Sequence, residues 1–221
     1  MNDVPPGATV TARRVTGVAA VLFALVTWQV AVDGPLLGVD ERLGRGFVRR
    51  GWLAEFFADL GAVYVAGPVL VGVAGWAAWW ARRRGVARWW VPGSAAVGMM
   101  ALVPVVVVPL KEWFDRPGTA VTPGNGFYPS GHTATAAVAY GCAALLVLPW
   151  WRGRRRVLVG ACTGVNLGVG VGLVRQGYHW PLDVVGSWCL AVVLLCGYLG
   201  VVSRSTRRTS AGTPSLRSGP S

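Results

Sequence analysis

The chain has 221 residues, of which 53% are hydrophobic and only 14% are charged, and its mean hydropathy is +0.49. A soluble domain of this length needs much more polar surface, so the composition favours an integral membrane protein. The net charge of +12 would suit a nucleic-acid partner only on a soluble basic face, whereas these arginines form short clusters between apolar runs. We therefore expect a lipid bilayer, and no nucleic acid, as the partner of this chain.

Six uncharged apolar stretches follow one another, each near or above the ~18 residues that cross a bilayer. A chain in lipid must satisfy its own backbone hydrogen bonds, so these stretches predict transmembrane helices. The sequence predicts an all-α, polytopic membrane protein with a six-helix bundle over residues 15–203. Residues 1–14 precede it, and the tail 204–221 has a composition typical of disorder. The six stretches are Val15–Val32, Leu60–Ala81, Trp89–Leu110, Ala134–Trp151, Val157–Val174 and Val184–Ser203.

The basic residues predict how the bundle is oriented. Fourteen of them lie on the side that holds both termini, and seven lie on the other side. Because basic residues concentrate on the cytoplasmic side of membrane proteins, both termini are expected to be cytoplasmic. The first stretch could instead be a cleaved signal peptide with Arg13 and Arg14 in its basic segment, which would leave the orientation of the other five unchanged.

Three polar clusters meet on the opposite, outer side of the membrane. They are LKEWFDRPG with Lys111, YPSGHTA with His132, and VRQGYHWPLD with His179 and Asp183, and they hold the only lysine and the only two histidines. Taken singly, they could be interfacial anchors, a helix cap at Ser130 and a local hydrogen bond. Ionisable groups at a bilayer edge cost free energy, so their convergence indicates a functional site.

Phosphoryl transfer is the chemistry that these residues suit. Lysine and arginine neutralise phosphate oxygens, and a helix opening at Ser130-Gly131 offers backbone N–H groups to an anion. A histidine with an aspartate four residues later can be held in one tautomer, which leaves its other nitrogen as a nucleophile. His132 is then free to protonate the leaving oxygen. Two histidines and one aspartate make a poor zinc ligand set, so we expect neither a metal nor another cofactor.

Here the sequence resembles the type 2 phosphatidic acid phosphatases, relatives of glucose-6-phosphatase and of vanadium haloperoxidases. Pro129-Ser130-Gly131-His132, the segment from His179 to Asp183, and Lys111 carry the resemblance, which extends over residues 55–200. It implies metal-independent hydrolysis on a six-helix membrane core. In this scheme His179 attacks phosphorus, Asp183 orients it and His132 protonates the leaving group. The implied phosphate-binding groups are Lys111, Arg116, Ser130, the backbone of Gly131, and Arg175.

The two arginines depart from the family pattern. Lys-x6-Arg-Pro places its arginine at Gly118, and Ser-Arg-x5-His places its arginine at Leu173. The nearest arginines, Arg116 and Arg175, could take over these roles. The resemblance implies a lipid phosphate as substrate, such as an isoprenyl (undecaprenyl-type) diphosphate, phosphatidic acid or phosphatidylglycerophosphate. A phosphoryl or head-group transferase and a non-catalytic lipid-phosphate-binding protein remain open as alternatives.

Overall fold

The computed structural model of the chain describes residues 6–211 and places them in α-helices without a β-strand, which confirms the all-α prediction. A short 3₁₀ turn, Arg152–Arg154, precedes the seventh helix. The eight helices within these residues are α1 (Pro6–Ala31), α2 (Pro35–Phe47), α3 (Trp52–Asp59), α4 (Val63–Arg83), α5 (Val91–Phe114), α6 (Gly131–Val147), α7 (Arg155–Gln176) and α8 (Pro181–Ala211).

Five of these helices are long and apolar enough to cross a membrane: α1, α4, α5, α7 and α8. The sixth predicted span, Ala134–Trp151, corresponds to α6, which is apolar but has 17 residues. It therefore falls just below the length of 18 residues that the other five reach. The structure supports a multi-pass membrane protein and leaves the count of six spans approximate.

Helix α6 lies at the centre of the bundle, where it packs against α4, α5, α7 and α8. Most of its buried residues are small, with alanines and one glycine among them. A side chain at Gly141 would come within 2.7 Å of a methyl group of Leu195 on α8, so Leu195 packs directly against the backbone of α6 there. Small residues let helix backbones approach closely in a membrane, where packing replaces the hydrophobic effect between helices.

The loop between the first two predicted spans forms two helices that the sequence did not predict. Helix α2 begins at Pro35, in the first turn, where proline needs no N–H partner. Helix α3 packs against α7, and a side chain at Gly172 of α7 would lie 2.6 Å from the carbonyl oxygen of Ala54. Through their packing on α7 and α8, both helices fold back onto one end of the bundle.

The C-terminal tail is helical for longer than predicted. Helix α8 continues to Ala211, so residues 204–211, which we expected to be disordered, extend the last span. Adding one residue to an existing helix costs little free energy, and arginine is a good helix former. The prediction from composition therefore ended this helix too early. Residues 212–221, and residues 1–5 of the predicted N-terminal segment, lie outside the described residues.

Candidate active site

His179 and Asp183 meet at the start of α8, as their spacing predicts. Nδ1 of His179 lies 3.2 Å from Oδ2 of Asp183, and the same oxygen accepts the backbone N–H of Trp180 at 3.0 Å. The contact crosses the helix start, because α8 begins only at Pro181. His179 is 7% exposed and Asp183 is fully buried. With a proton on Nδ1, the imidazole keeps Nε2 as a free nucleophile.

Arg116 joins this pair from the loop between α5 and α6, where it is buried. Its two terminal nitrogens donate to Oδ1 of Asp183 at 2.5 Å and to Oδ2 of Asp40 at 2.6 Å. Burial lowers the pKa of Arg116, but the two carboxylates outweigh this effect and raise that pKa, so the guanidinium stays charged. Burial raises the pKa of Asp40, and Arg116 opposes that rise.

Lys111 reaches the same end of the bundle from the last turn of α5. Its Nζ donates to the carbonyl oxygen of Gly126 at 2.8 Å and lies 5.9 Å from the centre of the Phe127 ring. The Phe127 ring also packs edge-on against His179, with ring centres 5.7 Å apart. Lys111 and His179 therefore share Phe127 as a neighbour, and the ammonium keeps two donors for a ligand.

Ser130 and Gly131 form the start of α6. Oγ of Ser130 accepts the backbone N–H of Thr133 at 3.3 Å and its hydroxyl at 3.0 Å, and Ser130 is fully buried. Ser130 is thus a helix cap whose hydroxyl faces the protein interior. The backbone N–H groups of Gly131 and His132 have no acceptor among residues 6–211, and no atom lies within 4 Å of the point where a side chain at Gly131 would begin.

His132 is exposed, unlike His179. Its side chain makes no hydrogen bond within the described part of the chain, but it lies in electrostatic range of His179, Lys111 and Asp59. A side chain at Gly61, just after α3, would come within 2.9 Å of the carbonyl oxygen of His132, so this turn packs directly on the start of α6. The two histidines therefore belong to one site, one of them buried and the other open.

Arg175 is not part of this group. It is exposed on the last turn of α7 and lines a groove of about 450 Å³ between α3 and α7, together with Arg49, Arg50 and Phe57. No side-chain hydrogen bond or ion pair joins Arg175 to His179, Lys111 or His132 in the described structure. The structure thus brings together seven of the eight residues that the sequence singled out and leaves Arg175 apart.

The two positions that carry arginine in the family pattern cannot hold one here. A side chain at Gly118 would lie 2.2 Å from the carbonyl oxygen of Thr122 and 2.5 Å from the Phe127 ring. Leu173 is 1% exposed and packs with Ala58, Ala136 and Val169. The loop after α5 packs closely against Gly118, and the core packs around Leu173, which are the residues at the two arginine positions.

The comparisons with known proteins identify the family and the fold of this chain. The sequence profile of the PAP2 superfamily matches residues 92–207, more than half of the chain. The chain belongs to the PAP2 superfamily. It is also similar to the crystal structure of a transmembrane PAP2-type phosphatidylglycerolphosphate phosphatase from Bacillus subtilis, with a TM-score of 0.73 and 20% identity, over 86% of this chain and 96% of that chain. No curated protein matches the chain.

The fold of this PAP2 protein is therefore that of a membrane phosphatase, and the predicted family and fold class are confirmed. The match begins within α5 and ends within α8, so it takes in Lys111, both histidines and Asp183. It leaves out α2 and α3.

Asp40 is the residue of this site that the sequence did not single out. It is 3% exposed, and its Oδ1 accepts the backbone N–H of Leu182 in the first turn of α8 at 2.8 Å. Its one sequence signal is a carboxylate directly after the apolar residues Leu36–Val39, in the charged stretch Asp40-Glu41-Arg42. That signal is weak, because Glu41 beside it pairs with Arg45 on the protein surface.

Proposed function

We propose that this PAP2 protein is an integral membrane phosphatase that hydrolyses a lipid phosphate or an isoprenyl diphosphate through a phosphohistidine. One observation carries the proposal. The buried pair of His179 and Asp183 shares a site with Lys111, with His132, and with the unpaired N–H groups that open α6. Nucleophile, orienting carboxylate, acid and anion-binding donors are then all supplied by the chain.

The reaction follows from these positions. Nε2 of His179 attacks phosphorus, the bond from phosphorus to the leaving oxygen breaks, and His132 gives that oxygen a proton. Asp183 holds the Nδ1 proton and stabilises the positive charge that develops on the ring. A water molecule then attacks the phosphohistidine, its proton passes to His132, and inorganic phosphate leaves.

Phosphate binding falls mainly to Lys111 and to the start of α6. The ammonium of Lys111 supplies a full charge, and the N–H groups of Gly131 and His132 add the positive end of a helix dipole. These donors are fixed before substrate arrives, so they can stabilise the extra charge of the transition state. This chemistry draws its positive charge from protein groups, so the proposed hydrolysis is metal-independent.

The proposed site faces outside the cytoplasm, with both chain termini inside. The distribution of fourteen basic residues against seven supports this orientation. Cysteine at Asn125, which is exposed in the loop after α5, should react with an impermeant reagent in intact cells. Cysteine at Gly153, on the opposite side, should react only after lysis. The reverse pattern would invert the orientation.

Phosphate release by the purified protein in EDTA, from a panel of lipid phosphates and diphosphates, tests the function. His179→Ala should abolish turnover and the acid-labile phosphate trapped on the protein. His132→Ala should lower kcat by about 10²–10⁴-fold while the phosphoprotein still forms, and a nitrophenolate leaving group should reduce that loss. Release that requires an acceptor alcohol would indicate a transferase. Wild-type activity in both variants would mean that the protein is not an enzyme of this family, and no release at all would indicate a binding protein.

A further inference from the structure

Arg116 is hydrogen-bonded to Asp183, the partner of the proposed nucleophile, yet its surroundings do not suit phosphate binding. It is 3% exposed, and both of its terminal nitrogens are occupied by buried carboxylates, those of Asp40 and Asp183. Two carboxylates against one guanidinium leave a negative charge uncompensated before His179 is counted. A phosphate that approached Arg116 would have to displace one of these partners and meet the other.

The same contacts fix the carboxylate of Asp183. Its Oδ1 accepts from Arg116, and its Oδ2 accepts from the backbone N–H of Trp180 and faces Nδ1 of His179. Rotation of the carboxylate about its bond to Cβ would break the bond with Arg116. Arg116 therefore holds the carboxylate so that one oxygen stays opposite Nδ1 of His179, and an acceptor at that position favours the tautomer with its proton on Nδ1.

Asp40 holds Arg116 and the first turn of α8 at the same time. One oxygen accepts from Arg116 at 2.6 Å, and the other accepts the N–H of Leu182 at 2.8 Å. A side chain at Gly44, one turn further along α2, would lie 2.6 Å from the ring of Trp180, so α2 is in close contact with the start of α8. The carboxylate of α2 thus ties together the two groups whose positions set Asp183.

We propose that Asp40 and Arg116 are positioning residues, which hold the carboxylate of Asp183 and through it the tautomer of His179, and that Arg116 does not bind phosphate. This inference rests on the proposed function, because it assumes that His179 is the nucleophile. It differs from the role of Arg116 that the family resemblance implies, in which its guanidinium contacts the substrate.

Steady-state kinetics separate the two roles of Arg116. In Asp40→Asn and Arg116→Lys we expect kcat to fall by about 10²-fold, the cost of a misplaced reacting group. The inhibition constant of inorganic phosphate should stay within about threefold of wild type, since no ligand of the phosphate is lost. Glu41→Gln, the neighbouring acid on the surface of α2, is the matched control and should behave like wild type. Rates are divided by the fraction of the protein that traps phosphate, so that misfolded protein does not lower the apparent kcat.

Two kinetic results would overturn the inference. A phosphate inhibition constant at least about tenfold higher in Arg116→Lys would make Arg116 a ligand of the phosphate. A wild-type kcat in Asp40→Asn would remove Asp40 from the positioning role. Failure of the proposed function looks different, because wild type would then release no phosphate or His179→Ala would stay active.

Nitrogen NMR gives a readout that does not depend on turnover. In a His132→Gln background His179 is the one histidine left in the chain, so its ring signals report the tautomer directly. We expect a proton on Nδ1 in this background and in Glu41→Gln, and a mixture of tautomers once Asp40→Asn is added. An unchanged tautomer in the Asp40→Asn background would overturn the inference, even if the protein proved inactive.

Discussion

Arg116 and Arg175 looked equivalent in the sequence, and the structure gives them opposite surroundings. Arg116 stands shortly after Lys111, and Arg175 stands shortly before His179. Each of them lies near a position where the family pattern has arginine. Arg116 is buried between two carboxylates, whereas Arg175 is exposed in a groove with two other arginines. Residue type and distance along the chain did not separate a buried ion pair from a surface cation.

Helix geometry explains the position of Arg175. Successive residues of an α-helix are turned by about 100°, so Arg175 and Leu173 point in directions about 200° apart. Leu173 is 1% exposed and faces the core, so Arg175 faces the groove. It also stands on the last turn of α7, where a cation is stabilised by the helix dipole without any ligand.

The largest difference between the two arginines should appear in stability. Arg116→Met leaves Asp40 and Asp183 buried and facing each other without a cation, which should cost about 3–5 kcal/mol. Arg175→Met, on the surface, should change stability by no more than about 0.5 kcal/mol. Thermal unfolding in detergent measures both variants. Equal unfolding temperatures of the two variants would mean that the buried ion pairs of Arg116 do not stabilise the fold.

The second-largest effect on stability should come from the groove that holds Arg175, because α3 and α7 pack there through their backbones. Gly172→Ala would push against the backbone of Ala54 and Ala58 in α3, and should cost about 1–3 kcal/mol. Gly164→Ala is the control on the same helix, because its added methyl group would have no atom within 4 Å apart from its chain neighbours and the nearby backbone of α7. It should be neutral or slightly stabilising, since alanine is the better helix former. A harmless Gly172→Ala would show that α3 does not rest on α7 as described.

A smaller effect is expected at Ser130, which the sequence placed among the phosphate ligands. As a buried cap it should lose about 1 kcal/mol of stability in Ser130→Ala. The control is Ser94→Ala, at an exposed serine that bonds only to the carbonyl of Trp90. Stability is read from unfolding, and the inhibition constant of phosphate is measured alongside. A weaker phosphate affinity at unchanged stability would indicate that Ser130 binds phosphate.

The smallest effect should come from Arg175 in catalysis. Arg175→Gln should leave KM and kcat within about twofold of wild type, because this residue lies in the groove between α3 and α7 and no hydrogen bond or ion pair in the described structure joins it to the histidines. Lys111→Gln, measured beside it, should raise KM strongly, since Lys111 is the one lysine of the chain and lies at the site. A large rise of KM in Arg175→Gln would indicate that this arginine does bind the substrate.

Local patterns were enough to predict much of this protein. Uncharged apolar stretches predicted the helices of the bundle, because a backbone in lipid has few other ways to satisfy its hydrogen bonds. Helix α6 was predicted as a span and is present, although it is shorter than its apolar stretch. The four-residue spacing of His179 and Asp183 predicted their contact, because it depends on one turn of chain.

What the sequence determined by itself is the class of the protein, the end of the bundle where its polar residues gather, and the histidine–aspartate pair. The tertiary structure decided the surroundings of the arginines, the burial of Ser130 and the contacts of Asp40. The reason is the distance along the chain: Asp40 meets Arg116 across 76 residues and Leu182 across 142. Such partners are chosen by how α2 folds onto the bundle, and no local pattern records that choice.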